Sequence, residues 1–224
     1  MATSGTAAID YDILSIAEEA FERAGLEMRS GYDLRSAMRS LNILTMEWAN
    51  RGLNLWTIAS GTVSLVAGTA TYSLPTDTID LIEHQLRVTS GGTTTDYSLN
   101  RISVSDYAGI PVKASTGRPL QIYIQRGAAP QVTVWPVPDQ TYTLAYYRLR
   151  RIEDSASGVN TMDMPFRFMP ALIAGLAFHI AMKRPEAAER VPLLKAYYEE
   201  QFQLAADEDR DRASLNLVPF QGWS

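Results

Sequence analysis

The sequence predicts an α+β protein. Terminal helices pack as a helical bundle, an antiparallel β subdomain is inserted between them, and an extended C-terminal tail follows. Three observations predict this. Apolar residues recur at helical spacing through the first fifty residues, alternate between Thr62 and Leu149, and return to helical spacing from Phe168. Helices and strands are segregated along the chain rather than interleaved, which argues against a parallel α/β sheet. The last dozen residues show neither period, yet they carry large apolar side chains. The implied divisions are an N-terminal helical hairpin at 1–56, a β subdomain at 57–152, C-terminal helices at 164–212 and a tail at 213–224.

Asp10 or Asp12 can cap a first helix whose inner side is Ile13, Ile16, Ala17, Ala20, Phe21 and Ala24, with Gly25 as its stop. A second helix from about Asp33 to Asn50 carries a stripe of Leu34, Met38, Leu41, Leu44, Thr45 and Trp48, closed by Gly52. Thr62–Val66 and Ala70–Leu74 alternate, and the Ala67-Gly68 link between them allows a tight hairpin or a bulged continuous strand. Asp80–Val88 reads as a strand, 90–93 as a turn, and Asp96–Leu99 as its return. Ser103 or Ser105 caps a short helical segment ending near Ala108. Leu120–Gln125, Gln131–Trp135 and Thr141–Leu149 alternate, with a proline-rich turn at Pro136–Gln140 that reads as a hairpin connection. Tyr142, Leu144 and Tyr146 share one face. Glu153–Asp163 reads as polar and flexible. Pro165 and Pro170 sit near the start of the Phe168–Met182 helix, where a missing N–H costs little. From Pro192 a last helix turns Leu193, Leu194, Tyr197, Tyr198, Phe202 and Leu204 inward and frays in the charged run Asp207–Arg212.

Of the 224 residues, 46% are apolar and 20% charged, a globular balance that excludes global disorder. The absence of cysteine excludes disulfides, thiolate metal sites and cysteine nucleophiles, and two histidines leave little for a histidine metal site. A net charge of −5 weighs against a dedicated nucleic-acid binder but suits a wall past which DNA slides without sticking. The N-terminus lacks the basic start and apolar core of a signal peptide, and the apolar run at 168–182 is too short to span a membrane. Gly91-Gly92 is a turn, since no Lys-Ser/Thr follows it. His84 reads as a surface or edge side chain and His179 as a core or interface histidine. The carboxylate pairs Glu18-Glu19, Glu153-Asp154 and Glu199-Glu200 read as solvated helix or loop faces. They are the only support for a hydrolase, which needs two carboxyls across a cleft, one with a raised pKa. Trp48 and Trp56 read as anchors that staple the helix end onto the sheet, in preference to a ligand platform, and Trp135 as core or subunit interface. No catalytic, cofactor or metal residue is assigned. In the tail, Leu215, Leu217, Val218, Phe220 and Trp223 are costly to leave wet, so they are the candidate protein-interface residues.

The order of several short motifs resembles the head-to-tail adaptor (connector) proteins of short-tailed phages, also called tail accessory factors or tail tubular protein A. The matching pieces are Ala24-Gly25, Leu41-Asn42, Glu47-Trp48-Ala49, Arg51 through Trp56, Gly68 and Tyr72-Ser73-Leu74-Pro75. They continue with Ser105-Asp106-Tyr107, Gly117-Arg118-Pro119, Val134 through Asp139, Tyr142-Thr143-Leu144 and Ala174-Gly175-Leu176-Ala177. The resemblance implies a non-enzymatic virion protein, assembled in the host bacterial cytoplasm as a ring, commonly dodecameric. Its partners would be the portal protein, a downstream tail (nozzle or hub) protein, and DNA passing through the lumen without sequence-specific binding. It implies no cofactor and no membrane. The rival readings are a tail-associated peptidoglycan hydrolase and a non-phage oligomeric binding module.

Overall fold

The structure, a computed structural model, describes residues 5, 11–52 and 55–208. In chain order the elements are α1 (Ile13–Ala24), α2 (Gly31–Arg51), a 3-10 turn (Leu55–Thr57), β1 (Ile58–Leu65), β2 (Thr71–Ser73), β3 (Thr78–Ser90), β4 (Thr93–Ser98) and β5 (Asn100–Ile102). Then come α3 (Val104–Gly109), β6 (Thr116–Gly117), β7 (Gln121–Gln125), β8 (Gln131–Trp135), β9 (Val137–Pro138) and β10 (Tyr142–Arg150). A 3-10 turn (Phe166–Phe168), α4 (Met169–Ala181), a further 3-10 turn (Pro185–Arg190) and α5 (Val191–Glu208) complete the described elements. The chain divides into a helical unit, Met1–Leu55 with Glu153–Ser224, and a β unit, Trp56–Ile152.

In the helical unit, Asp12 Oδ1 accepts the Ser15 N–H at 2.8 Å and so caps α1. The predicted inner stripe of α1 is buried throughout, and Gly25 ends the helix at φ +75°. There a Cβ would also meet the Arg190 guanidinium at 2.5 Å. The second helix starts earlier than the sequence suggests, because Ser30 accepts the Asp33 N–H and acts as the cap. Its buried face is Asp33, Ala37, Ser40, Leu41, Leu44, Thr45 and Trp48. Leu34 and Met38, expected inside, are only half-buried. The N-terminal half turns small and polar side chains inward because they have partners there: Arg184 pairs with Asp33, and Lys183 Nζ donates to Ser40 Oγ at 2.6 Å.

Helix α4 is buried on nearly every side, and α1, α2 and α5 all pack on it. Gly175 marks the tightest approach. A Cβ there would stand 2.8 Å from Tyr198 Cε2 and 2.9 Å from Leu44 Cδ2. On α5 the buried stripe is Leu194, Tyr198, Phe202 and Ala205, whereas Leu193 and Leu204 are 72% and 58% exposed and Tyr197 is also exposed. Six apolar residues were expected inside. They wrap too much of the helix circumference for one neighbour to cover, and α4 takes a single stripe.

The segment Glu153–Asp163 is not the flexible link its polarity suggests. The N–H groups of Ile13 and Leu14 donate to Asn160 O and Gly158 O, each at 2.9 Å, which satisfies first-turn donors of α1. Ser155 is buried, its N–H donates to Asn42 Oδ1 at 2.9 Å, and its hydroxyl donates to Met38 O at 3.1 Å.

The β unit holds two four-stranded sheets, ordered β1-β10-β3-β4 and β2-β8-β7-β5, and a β6-β9 pair. It is not purely antiparallel, because β5–β7 and β6–β9 run parallel. Leu65, Leu86 and Leu144 from one sheet and Ile122, Val132 and Val134 from the other belong to one core, which Tyr142 and Tyr146 join as predicted. The expected hairpin or bulged strand across Ala67-Gly68 is neither, since β1 and β2 enter different sheets. Tyr72 holds the crossing: its hydroxyl accepts the Val66 N–H at 2.8 Å and donates to Thr69 O at 2.7 Å. Nor is Pro136–Gln140 a hairpin turn. β8 pairs with β7 and β2, while β10 crosses to lie between β1 and β3. The hairpin that does form at a glycine pair joins β3 to β4, with Gly91 and Gly92 at φ +58° and +81°.

Gly61, Tyr146 and His84 stand opposite one another across β1, β10 and β3. A Cβ on Gly61 would meet the Tyr146 ring at 2.6 Å, so the ring occupies the space that the glycine leaves. His84 is half-buried and is not on an edge strand. It lies on an interior strand with Nδ1 buried and unpartnered, and burial, followed by the nearby Arg101, lowers its pKa.

Candidate interaction surfaces

The stretch Glu47–Trp56 crosses from α2 into the β unit, and its first half is a polar lock on α5. Trp48 is fully buried in the helical unit, against Phe168 and Phe202. Its indole N–H donates to Tyr198 Oη at 3.0 Å, and the Tyr198 hydroxyl donates to Glu47 Oε1 at 3.2 Å. Burial first, then the neighbouring Glu47 carboxylate, raises the Tyr198 pKa, so the phenol stays a donor. Arg51 closes the set. It forms a two-pronged pair with Glu199 at 3.0 and 2.9 Å, lies 3.1 Å from Glu47 Oε1, and stacks 4.4 Å above the Phe202 ring. His179 Nε2 faces Glu47 Oε2 at 3.6 Å, and burial lowers its pKa below the usual histidine value. Gly52 then stops α2 at φ +90°, and residues 53–54 lie outside the described residues.

Two of the paired carboxylates, Glu19 and Glu199, are held in ion pairs. Glu19 pairs with Arg23 at 2.7 Å. Glu199 is held by Arg51, whose hydrogen bonds lower its pKa. Asp96, on a hollow of about 630 Å³ over β1, β10 and β3, accepts two bonds from Arg87 at 2.9 Å, and these lower its pKa as well. A general acid needs the opposite shift. Among the described residues no His, Asp and Glu cluster could hold a metal ion, and no helix is long and apolar enough to cross a membrane.

The five predicted interface residues, Leu215, Leu217, Val218, Phe220 and Trp223, lie outside the described residues, as does the charged run beyond Glu208. Open apolar side chains do appear elsewhere. Ile43 and Met46 on α2 are 55% and 65% exposed, close to the values for Leu193 and Leu204 on α5. Sequence reasoning missed the first pair and assigned the second to the core.

Residues 14–220 match the SU10 adaptor protein family, a phage head-tail adaptor family. The chain belongs to that family. No curated protein matches it. The adaptor is thus a phage structural protein, and the resemblance read from its short motifs is to the correct class.

Proposed function

We propose that this adaptor forms a closed ring, of twelve copies as the resemblance implies, which docks on the portal, offers a platform to the next tail protein and leaves a channel for DNA. The observation that carries the reading is the family match across nearly the whole chain. The net charge of −5 supports it, because an overall acidic protein has little tendency to hold phosphates by counterion release. The tail at 213–224 is the portal contact, with Leu215, Leu217, Val218, Phe220 and Trp223 as its anchors, since large apolar side chains that follow neither helical nor strand spacing in the sequence gain most from burial on a partner. Assembly takes place in the host cytoplasm, and the product is a virion part at the head-tail junction.

Electron microscopy of the purified protein mixed with portal rings tests the reading. Added rings of density beneath the portal are the expected result, and a persistent monomer that never binds portal is the result against it. Deleting Asn216–Ser224 leaves the fold intact and weakens docking. Unfolding of the shortened chain, or docking as tight as that of the full chain, removes the tail from this role.

A further inference from the structure

Two open helix faces of the helical unit have matching side chains. On α2, Arg35, Arg39, Ile43 and Met46 are exposed and spaced by three or four residues, so they form one stripe. On α5, Leu193, Tyr197, Glu200 and Leu204 do the same. Each stripe covers eleven residue steps, about 16 Å of helix. Building on the ring reading, we propose that the two stripes are the two halves of one contact, in which α2 of one subunit lies antiparallel on α5 of a second copy.

The order of side chains selects the direction. Antiparallel docking sets Met46 on Leu193, Ile43 on Tyr197 and Arg39 on Glu200, and lays the aliphatic stem of Arg35 along Leu204. Parallel docking sets Arg35 on Leu193, Arg39 on Tyr197 and Glu200 on Ile43, which desolvates three charges without a counter-charge.

Charge also selects a second copy as the occupant. Among the described residues, Arg35, Arg39 and Glu200 have no ion-pair partner within the subunit. Positive charge accumulates near α2, where Lys183 has its pKa lowered, by burial first and by Arg39 second. A neighbouring α5 supplies the missing acid to Arg39, and a neighbouring α2 supplies the missing cation to Glu200. Because every subunit carries both halves, the contact passes from copy to copy, as a closed ring requires.

The chain has no cysteine, so paired cysteines report on the contact without background. The full chain carrying Ile43→Cys and Tyr197→Cys, assembled on portal rings and treated with a short bismaleimide, is expected to give a ladder of linked copies. The parallel-register pair Arg35→Cys and Leu193→Cys is expected to give none. In sedimentation, Arg39→Glu and Glu200→Arg each weaken self-association by about tenfold, and the double exchange restores it. Rings that assemble on the portal without the Ile43/Tyr197 ladder overturn this contact and leave the adaptor reading standing. Absence of rings for every variant and for the unaltered chain overturns both. A ladder from the parallel-register pair, or no recovery in the double exchange, also overturns the proposed docking.

Discussion

In the β unit everything that packs together lies between Trp56 and Ile152, whereas in the helical unit Trp48 meets Tyr198 from 150 residues away. The difference lies in how each core closes. The β unit is one continuous stretch whose first and last strands pair, Ile58 opposite Leu149. Its folding therefore brings its own two ends together. The helical unit is built from both arms of the chain, so its packing must offset the entropy of closing a loop of that length. The two cores also differ in kind. The β core is held mainly by alternating aliphatic and aromatic side chains, with His84 Nδ1 left without a partner. The helical core carries a polar chain from the buried Trp48 and Tyr198 to the half-buried Glu47.

The sharpest way to break this comparison is Trp48→Ala. Emptying that site costs about 3–5 kcal/mol. The loss of amide-exchange protection is expected in α1, α2, α4 and α5, with β7, β8 and β10 still protected. Equal loss in the strands means that the two units do not unfold separately. Gly61→Val reverses the pattern. A side chain there displaces the Tyr146 ring and costs about 1–3 kcal/mol, with protection lost in β1, β10 and β3 and kept in α4.

The smallest effect is pH-dependent and sharpens the helical side alone. Burial raises the Asp33 pKa, but the Arg29 N–H, Ser30 and the Arg184 guanidinium outweigh it, so the net shift is downward. A carboxyl held low stabilises the fold fully above its unfolded pKa, about 3.9, and loses that contribution as pH falls through the folded value. Asp33→Asn is therefore expected to lower the melting temperature at pH 7, by less than either core change, and to make progressively less difference as the pH falls through the lowered folded-state value and the unaltered carboxyl is itself protonated. A gap that stays constant with pH rules out the ion pair as the cause.

Much of the local structure was legible in the residues. The inner stripe and glycine stop of α1, the Ser103 cap of α3, the turn at Gly91-Gly92 and the shared face of Tyr142, Leu144 and Tyr146 all follow from side-chain spacing and from which residues tolerate a positive φ. Ser103 even forms a full capping box with Asp106. The errors share a cause. Alternation in β1, β2, β8 and β10 identifies strands but does not name their partners, so the Ala67-Gly68 link and the Pro136–Gln140 turn are crossings between sheets. The polar composition of Glu153–Asp163 hid the fact that its carbonyls and Ser155 serve donors and acceptors on α1 and α2.

The sequence by itself determined the class of the protein, its segregated order of helices and strands, and, through short motifs in order, its family. Period and punctuation are local properties, and they survive without knowledge of the fold. Only the tertiary structure decided which apolar residues stay outside. Leu193 and Leu204 on α5 are as apolar as Leu194, yet α4 covers one stripe and leaves theirs open. Arg51 in the Glu47–Trp56 stretch likewise acquired its role from Glu199, a residue 148 positions away that no spacing rule connects to it. Burial and pairing depend on which neighbour arrives, and that information lies in the packing rather than in the pattern.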